Sequence, residues 1–155
     1  MIVYYDINDD LDQVAAHIDI RLRDWPGADL IDLANRGIQL IEERTEQGQD
    51  MHGRSFVAYS PQYAEFRRAT GRQAERVDLL YEGHMRTNMT PKAGDGAAII
   101  FFPDQTEGVK AMAHHEGTAT ISARPWFGFV PGTADMQALQ AEALRLASNR
   151  LSAAE

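Results

Sequence analysis

Apolar positions along this chain fall into short β-like clusters and longer repeats at helical spacing. Val3, Tyr4, Tyr5 and Ile7 predict a first strand, followed by turn and cap residues at Asn8, Asp9 and Asp10. Leu11, Val14, Ala15, Ile18 and Leu22 recur at helical spacing, which predicts a first helix to about Arg23, broken at Pro26-Gly27. Asp29 is placed to cap a second helix with Leu30, Leu33, Ala34, Ile38 and Ile41 inward, ending at Gln47-Gly48-Gln49-Asp50. Met51 to Ser60 is irregular. Ser60-Pro61 then starts a short helix that holds Tyr63, Ala64 and Phe66 and closes at Gly71.

Val77 to Met85 reads as an apolar helix or turn. Met85 to Thr90 and Ala97 to Phe102 read as two strands joined by the loop Pro91 to Gly96. Ala97 to Phe102 has no polar alternation, so both its faces are expected to be buried. Asp104 and Thr106 are cap candidates for a helix through Val109, Lys110 and Met112, closed by Gly117. Thr118 to Ser122 is rich in β-formers, and Trp126, Phe127 and Phe129 cluster between Pro125 and Pro131. Thr133 caps a last helix in which Met136, Leu139, Ala143 and Leu146 share one side. The expected fold class is α+β: a small antiparallel sheet packed by several helices, in one domain over residues 1–149, with 150–155 as a frayed tail.

Composition narrows the function. The 155 residues are 44% apolar, enough for a core, and the apolar runs are too short to span a bilayer as a helix. The N-terminus lacks the basic flank and apolar stretch of a secretory signal. With no cysteine, disulfides and thiolate chemistry are excluded, and a chain made in a cytoplasm is expected. The formal charge is −8, unevenly placed. Residues 1–50 carry 12 acidic and 4 basic side chains, whereas residues 51–90 carry 4 acidic and 6 basic ones. The acidic first third argues against broad nucleic-acid binding and suits a face that repels DNA, meets a basic partner, or is simply solvated.

Candidate chemistry is sparse. His114-His115-Glu116 is the best metal candidate, but adjacent histidines point to different sides of a helix, and the H-E-x-x-H spacing is absent. No glycine-rich phosphate loop or nucleophile elbow is present. Carboxylate pairs such as Asp9-Asp10 and Glu42-Glu43 lie in polar surroundings, where solvation rather than acid–base work is expected. Arg67-Arg68, Arg72 and Arg76 form the basic cluster. On a continuous helix Arg68, Arg72 and Arg76 would share a face, although Gly71 interrupts it. Such a stripe either meets an acidic partner or passing DNA, or balances the acidic first third as a solvated face.

Four short patterns occur in order between about Asp29 and Phe129. They are Gly53-x-x-Phe56-x-x-Tyr59-Ser60-Pro61-x-Tyr63-Ala64, Val77-Asp78-Leu79 with Gly83-x-Met85, His115-Glu116-Gly117, and Ala123-Arg124-Pro125-Trp126-Phe127-Gly128. Together they resemble the bacteriophage virion morphogenesis family, the tail-completion or neck proteins of long-tailed phages. Ser122 and Tyr81-Glu82 depart from that family's usual residues. The resemblance implies a structural, non-catalytic protein of the virion, made in the bacterial host cytoplasm and needing no cofactor. It implies a ring of copies of itself, six by expectation, at the head–tail junction. The implied partners are neighbouring tail and connector proteins, with DNA passing through the lumen without sequence specificity and no membrane.

Arg124, Trp126, Arg68, Arg72, Tyr59 and Tyr63 are the interface candidates, because arginine and large aromatic side chains anchor protein contacts. Set against that, Trp126 and Phe127 are equally suited to a core, and Arg124 to pairing or capping inside the fold. An acidic patch on one copy is expected to meet the arginine cluster of the next. Alternative readings are a tail-tip structural protein, a small metal-dependent hydrolase using His114 or His115 with Glu116, and a monomeric acidic adaptor.

Overall fold

The computed structural model describes residues 2–6, 15–19, 25–94 and 96–153, with side chains placed for 25–94 and 96–152. Four antiparallel strands form one sheet: β1 (Ile2–Asp6), β2 (Ala15–Asp19), β3 (Thr90–Ala93) and β4 (Ala97–Phe101), in the order β1-β2-β4-β3. Five helices accompany it: α1 (Gly27–Glu46), α2 (Pro61–Ala69), α3 (His84–Thr87), α4 (Gln105–Glu116) and α5 (Ala134–Ala153). This is the α+β class expected from the pattern.

The strand at Val3–Tyr5 is present within β1. The helix expected from Leu11 to Arg23 is not: Ala15–Asp19 is a strand, with His17 paired to Tyr4 on one side and Ile99 on the other. The rest of that expected helix, and the caps at Asn8, Asp9 and Asp10, lie outside the described residues. Cross-strand pairing on both sides overrode the helical spacing of Leu11 to Leu22.

The β3–β4 hairpin also shifts. Met85 to Thr87 belong to the helical turn α3, β3 runs from Thr90 to Ala93, and β4 begins at Ala97. A Cβ on Gly94 would lie 2.7 Å from Ile99 Cδ1, so a larger residue there would require the tip of the Ile99 side chain to shift. In β4, Ala98 and Ile100 are buried while Ala97, Ile99 and Phe101 are only half-buried. One face of β4, not both, is therefore fully covered.

Helix α1 lies across β3 and β4 and also packs on α5. Leu30, Leu33, Ala34, Leu40 and Ile41 of α1 meet Ala98, Ile100 and Phe102 in a core that Met136, Leu139 and Leu146 of α5 complete. Asp29 sits inside the first turn of α1, not at its cap, which is Pro26. There its carboxylate faces the positive end of the helix. The far end closes as a Schellman motif: the Gln49 and Gly48 amides donate to the Arg44 and Thr45 carbonyls at 2.9 and 3.0 Å, with Gly48 at φ +78°.

Ser60 and Asp104 cap α2 and α4 as expected, through Tyr63 N–H at 3.3 Å and Thr106 N–H at 2.8 Å. Thr133 Oγ1 accepts from Met136 N–H at 3.4 Å. Helix α5 runs on through Arg150 to Ala153, and the rest of the expected tail lies outside the described residues. Thr118 to Ser122 is not a strand. The Thr118 hydroxyl accepts from the Thr120 and Ile121 amides at 3.2 and 3.0 Å, a serine/threonine turn that competes with extended pairing.

Candidate functional site

Helix α2 ends at Ala69, and the chain reverses at Gly71 with φ +72°. Arg72 and Arg76 therefore leave the helix, and the single helical stripe with Arg68 does not form. The reversal instead folds residues 72–81 back along α2. Arg67, 2% exposed, holds this return. Its Nε donates to the Gln73 carbonyl at 2.7 Å, Nη1 to the Leu80 carbonyl at 3.0 Å, and Nη2 to Asp78 Oδ1 at 3.2 Å. Tyr59 donates its hydroxyl to the same Asp78 oxygen at 3.2 Å. Burial, reinforced by the Asp78 charge, pushes the Tyr59 phenol up to about 12, so it stays a neutral donor.

The return stacks aromatic rings on the surface of α2. Tyr59 meets Tyr63 edge-on with centroids 5.1 Å apart, Tyr63 meets Phe66 at 6.0 Å, and Phe66 stacks on Tyr81 at 6.1 Å and 18°. The Arg72 guanidinium lies 4.0 Å over the Tyr81 ring and donates to the Tyr81 carbonyl at 3.0 Å. Unlike a core cluster, this ladder is open to solvent: Tyr63, Phe66, Tyr81 and Leu80 remain 38%, 46%, 40% and 42% exposed. Arg68 lies away from it, largely exposed and 3.7 Å from Glu75, in a separate hollow that Ala64, Ala74 and Arg76 also line.

A cleft of about 420 Å³ opens next to the ladder, between Tyr63 and Tyr81 on one side and Thr120 to Ser122 on the other. Its far wall is built where Gly117, at φ +81°, turns the chain so tightly that a Cβ would lie 2.8 Å from Ala123 N. Arg124 lines the cleft at 6% exposure. Nε donates to the Val57 carbonyl at 3.0 Å, Nη2 to the Ala58 carbonyl at 3.3 Å and Nη1 to the Ser122 carbonyl at 3.4 Å, with the guanidinium carbon 5.6 Å from the Tyr59 ring centre. Burial lowers its pKa, yet a guanidinium stays charged at neutral pH.

Of the six interface candidates, the structure brings four into one region: Tyr59, Tyr63 and Arg124 line the cleft and Arg72 lies over Tyr81, whereas Arg68 lies in a separate hollow with Glu75 and Arg76. Trp126 is corrected. It is fully buried, with its indole N–H donated to the Ala111 carbonyl at 3.1 Å and its ring against Phe102 and Phe127. An exposed anchor is ruled out by that burial.

His114 and His115 diverge. His114 lines the cleft, its Nδ1 buried without a hydrogen-bond partner, and burial followed by the Arg124 charge holds its pKa below the usual range. His115 Nδ1 accepts from Phe127 N–H at 3.3 Å, and burial lowers its pKa too. Among the described residues no three His, Asp or Glu side chains come together to hold a metal ion. Nor, among them, is any helix long and apolar enough to cross a membrane.

Phe66 and Tyr81 were not singled out by sequence. The three-residue spacing of Tyr63 and Phe66 places them on one helical face, but nothing local indicates that Tyr81 will stack there. Family models, curated proteins and solved structures each yield no match to this chain.

Proposed function

We propose that this chain is a non-catalytic structural protein of a tailed bacteriophage virion, which completes the tail or neck at the head–tail junction as a ring of copies in contact with neighbouring tail and connector proteins. The observation that carries this reading is the open aromatic ladder Tyr63–Phe66–Tyr81 with Arg72 over its last ring. Rigid aromatic and guanidinium side chains held ready on the surface suit a protein contact, because little entropy remains to be lost when they are covered. Leu80 and Val57, 42% and 57% exposed, add to the apolar surface of this region.

The polar groups next to the ladder favour assembly over chemistry. Asp78 and Arg67 are taken up by one another and by the backbone, so they hold loops in place. The residues that carry the family resemblance sit in the same framework. Tyr59 and Asp78 share a hydrogen bond, Gly83 takes φ +91°, and Arg124 ties the segment after Ser122 to Val57 and Ala58. The excess of acid in the first third suits a lumen wall along which DNA slides without adhering.

Phage particles lacking the chain provide the test. Heads and tails that form but fail to join, together with the chain in stoichiometric amount in purified wild-type particles, are expected. Normal infectious particles without it would overturn the proposal.

A further inference from the structure

Arg124 brings a permanent charge to the cleft but no counter-charge. Its three hydrogen bonds go to neutral carbonyls, and no carboxylate pairs with it among the described residues. The other strongly buried arginines differ: Arg67 has Asp78, Arg44 has Asp135, and Arg86 has Glu46. A buried cation without an anion is costly unless something supplies one. The hydroxyl residues Ser60, Thr120 and Ser122 line the same cleft. These groups can satisfy the second oxygen of a carboxylate seated against Arg124.

The surface outside the cleft indicates how large the bearer of that carboxylate is. A free small anion would fit within about 420 Å³, yet the ladder continues beyond the cleft onto Phe66, and Leu80 and Val57 are exposed as well. Arg72, over the Tyr81 ring, adds positive charge beside it, which favours an acidic partner surface. We infer that the cleft is the docking site for a segment of a partner protein, whose aspartate or glutamate side chain pairs with Arg124 while neighbouring apolar residues cover Tyr63, Phe66 and Tyr81. This inference deepens the assembly reading above and rests on it.

The full chain, labelled for NMR, is titrated with a panel of acetylated and amidated peptides that carry a central Glu with varied apolar flanks, each matched by its Gln counterpart. Glu peptides are expected to shift the amides of Thr120 to Ser122 and to bind about tenfold more tightly than the Gln peptides. Arg124→Lys, which keeps the charge but not the planar fork, is expected to shrink that preference. Because Arg124 also holds Val57 and Ala58, Tyr81→Ala serves as a second variant: it leaves Arg124 in place and is expected to weaken both peptides alike. Equal binding of Glu and Gln peptides overturns the inference, as does shift mapping to another face or no binding up to millimolar concentration. Acetate that binds as well as the Glu peptides also overturns it, since the cleft would then be a small-anion site. The virion test is independent, because it reads particles and not peptide affinity.

Discussion

Arg44, Arg67 and Arg124 each carry charge inside and spread it over backbone carbonyls. Arg44 donates Nη2 to the Trp126 and Gly128 carbonyls at 2.5 and 2.7 Å, pairs with Asp135 and lies over the Phe129 ring. It thereby ties the aromatic segment to α1 and α5. Breaking such a pair from one side leaves the other charge stranded, so Asp78→Ala is expected to lose about 3–5 kcal/mol in urea denaturation. Histidine makes the second prediction at this scale. His114 and His115 have pKa values held below the ordinary 6.5, so the unfolded chain binds more protons than the native one as pH falls below that value. Stability is therefore expected to fall as pH drops below about 6.5. His114→Gln should lose less over the same range in chemical denaturation, and an unchanged pH dependence would contradict this assignment.

At the scale of elements, the turns that close helices are the most specific. Gly48→Ala must hold φ +78° with its Cβ 3.3 Å from the Val77 carbonyl, whereas Gly71→Ala meets open space at φ +72°. The first is expected to cost more than the second, which should lose about 1 kcal/mol from backbone strain alone, as read by thermal unfolding. These closures were legible in sequence, as were the caps at Ser60, Asp104 and Thr133, because cap and turn chemistry is local. Long amphipathic helices were legible too, since α1 and α5 repeat their apolar positions over 20 residues each. Ala15–Asp19 was not: the helical spacing of Leu11 to Leu22 runs through it, and partners far along the chain decide. The candidate site divides in the same way. Tyr59, Tyr63, Arg72 and Arg124 stood out by residue type, while Tyr81 stacks on Phe66 and His114 reaches the cleft through tertiary folding alone. Trp126 looked the same as an anchor or as core, and only its burial distinguishes the two.

For the whole molecule, stability and contact reside in different residues. Leu33 and Leu139 are fully buried, so truncating either to Ala is expected to cost about 2–5 kcal/mol. Phe66→Ala and Tyr81→Ala remove exposed rings and should shift unfolding by only about 0.5–1 kcal/mol. If the ladder is the assembly surface, these two variants fold normally and fail to enter particles, which immunoblotting of purified virions reads directly. An image reconstruction of the purified virion, with this chain fitted to the density, tests the central claim most directly. The account predicts a ring of this domain at the head–tail junction in which Tyr63, Phe66 and Tyr81 are buried against a neighbour. Particles without this chain, or a ring in which that surface faces open solvent, would contradict it.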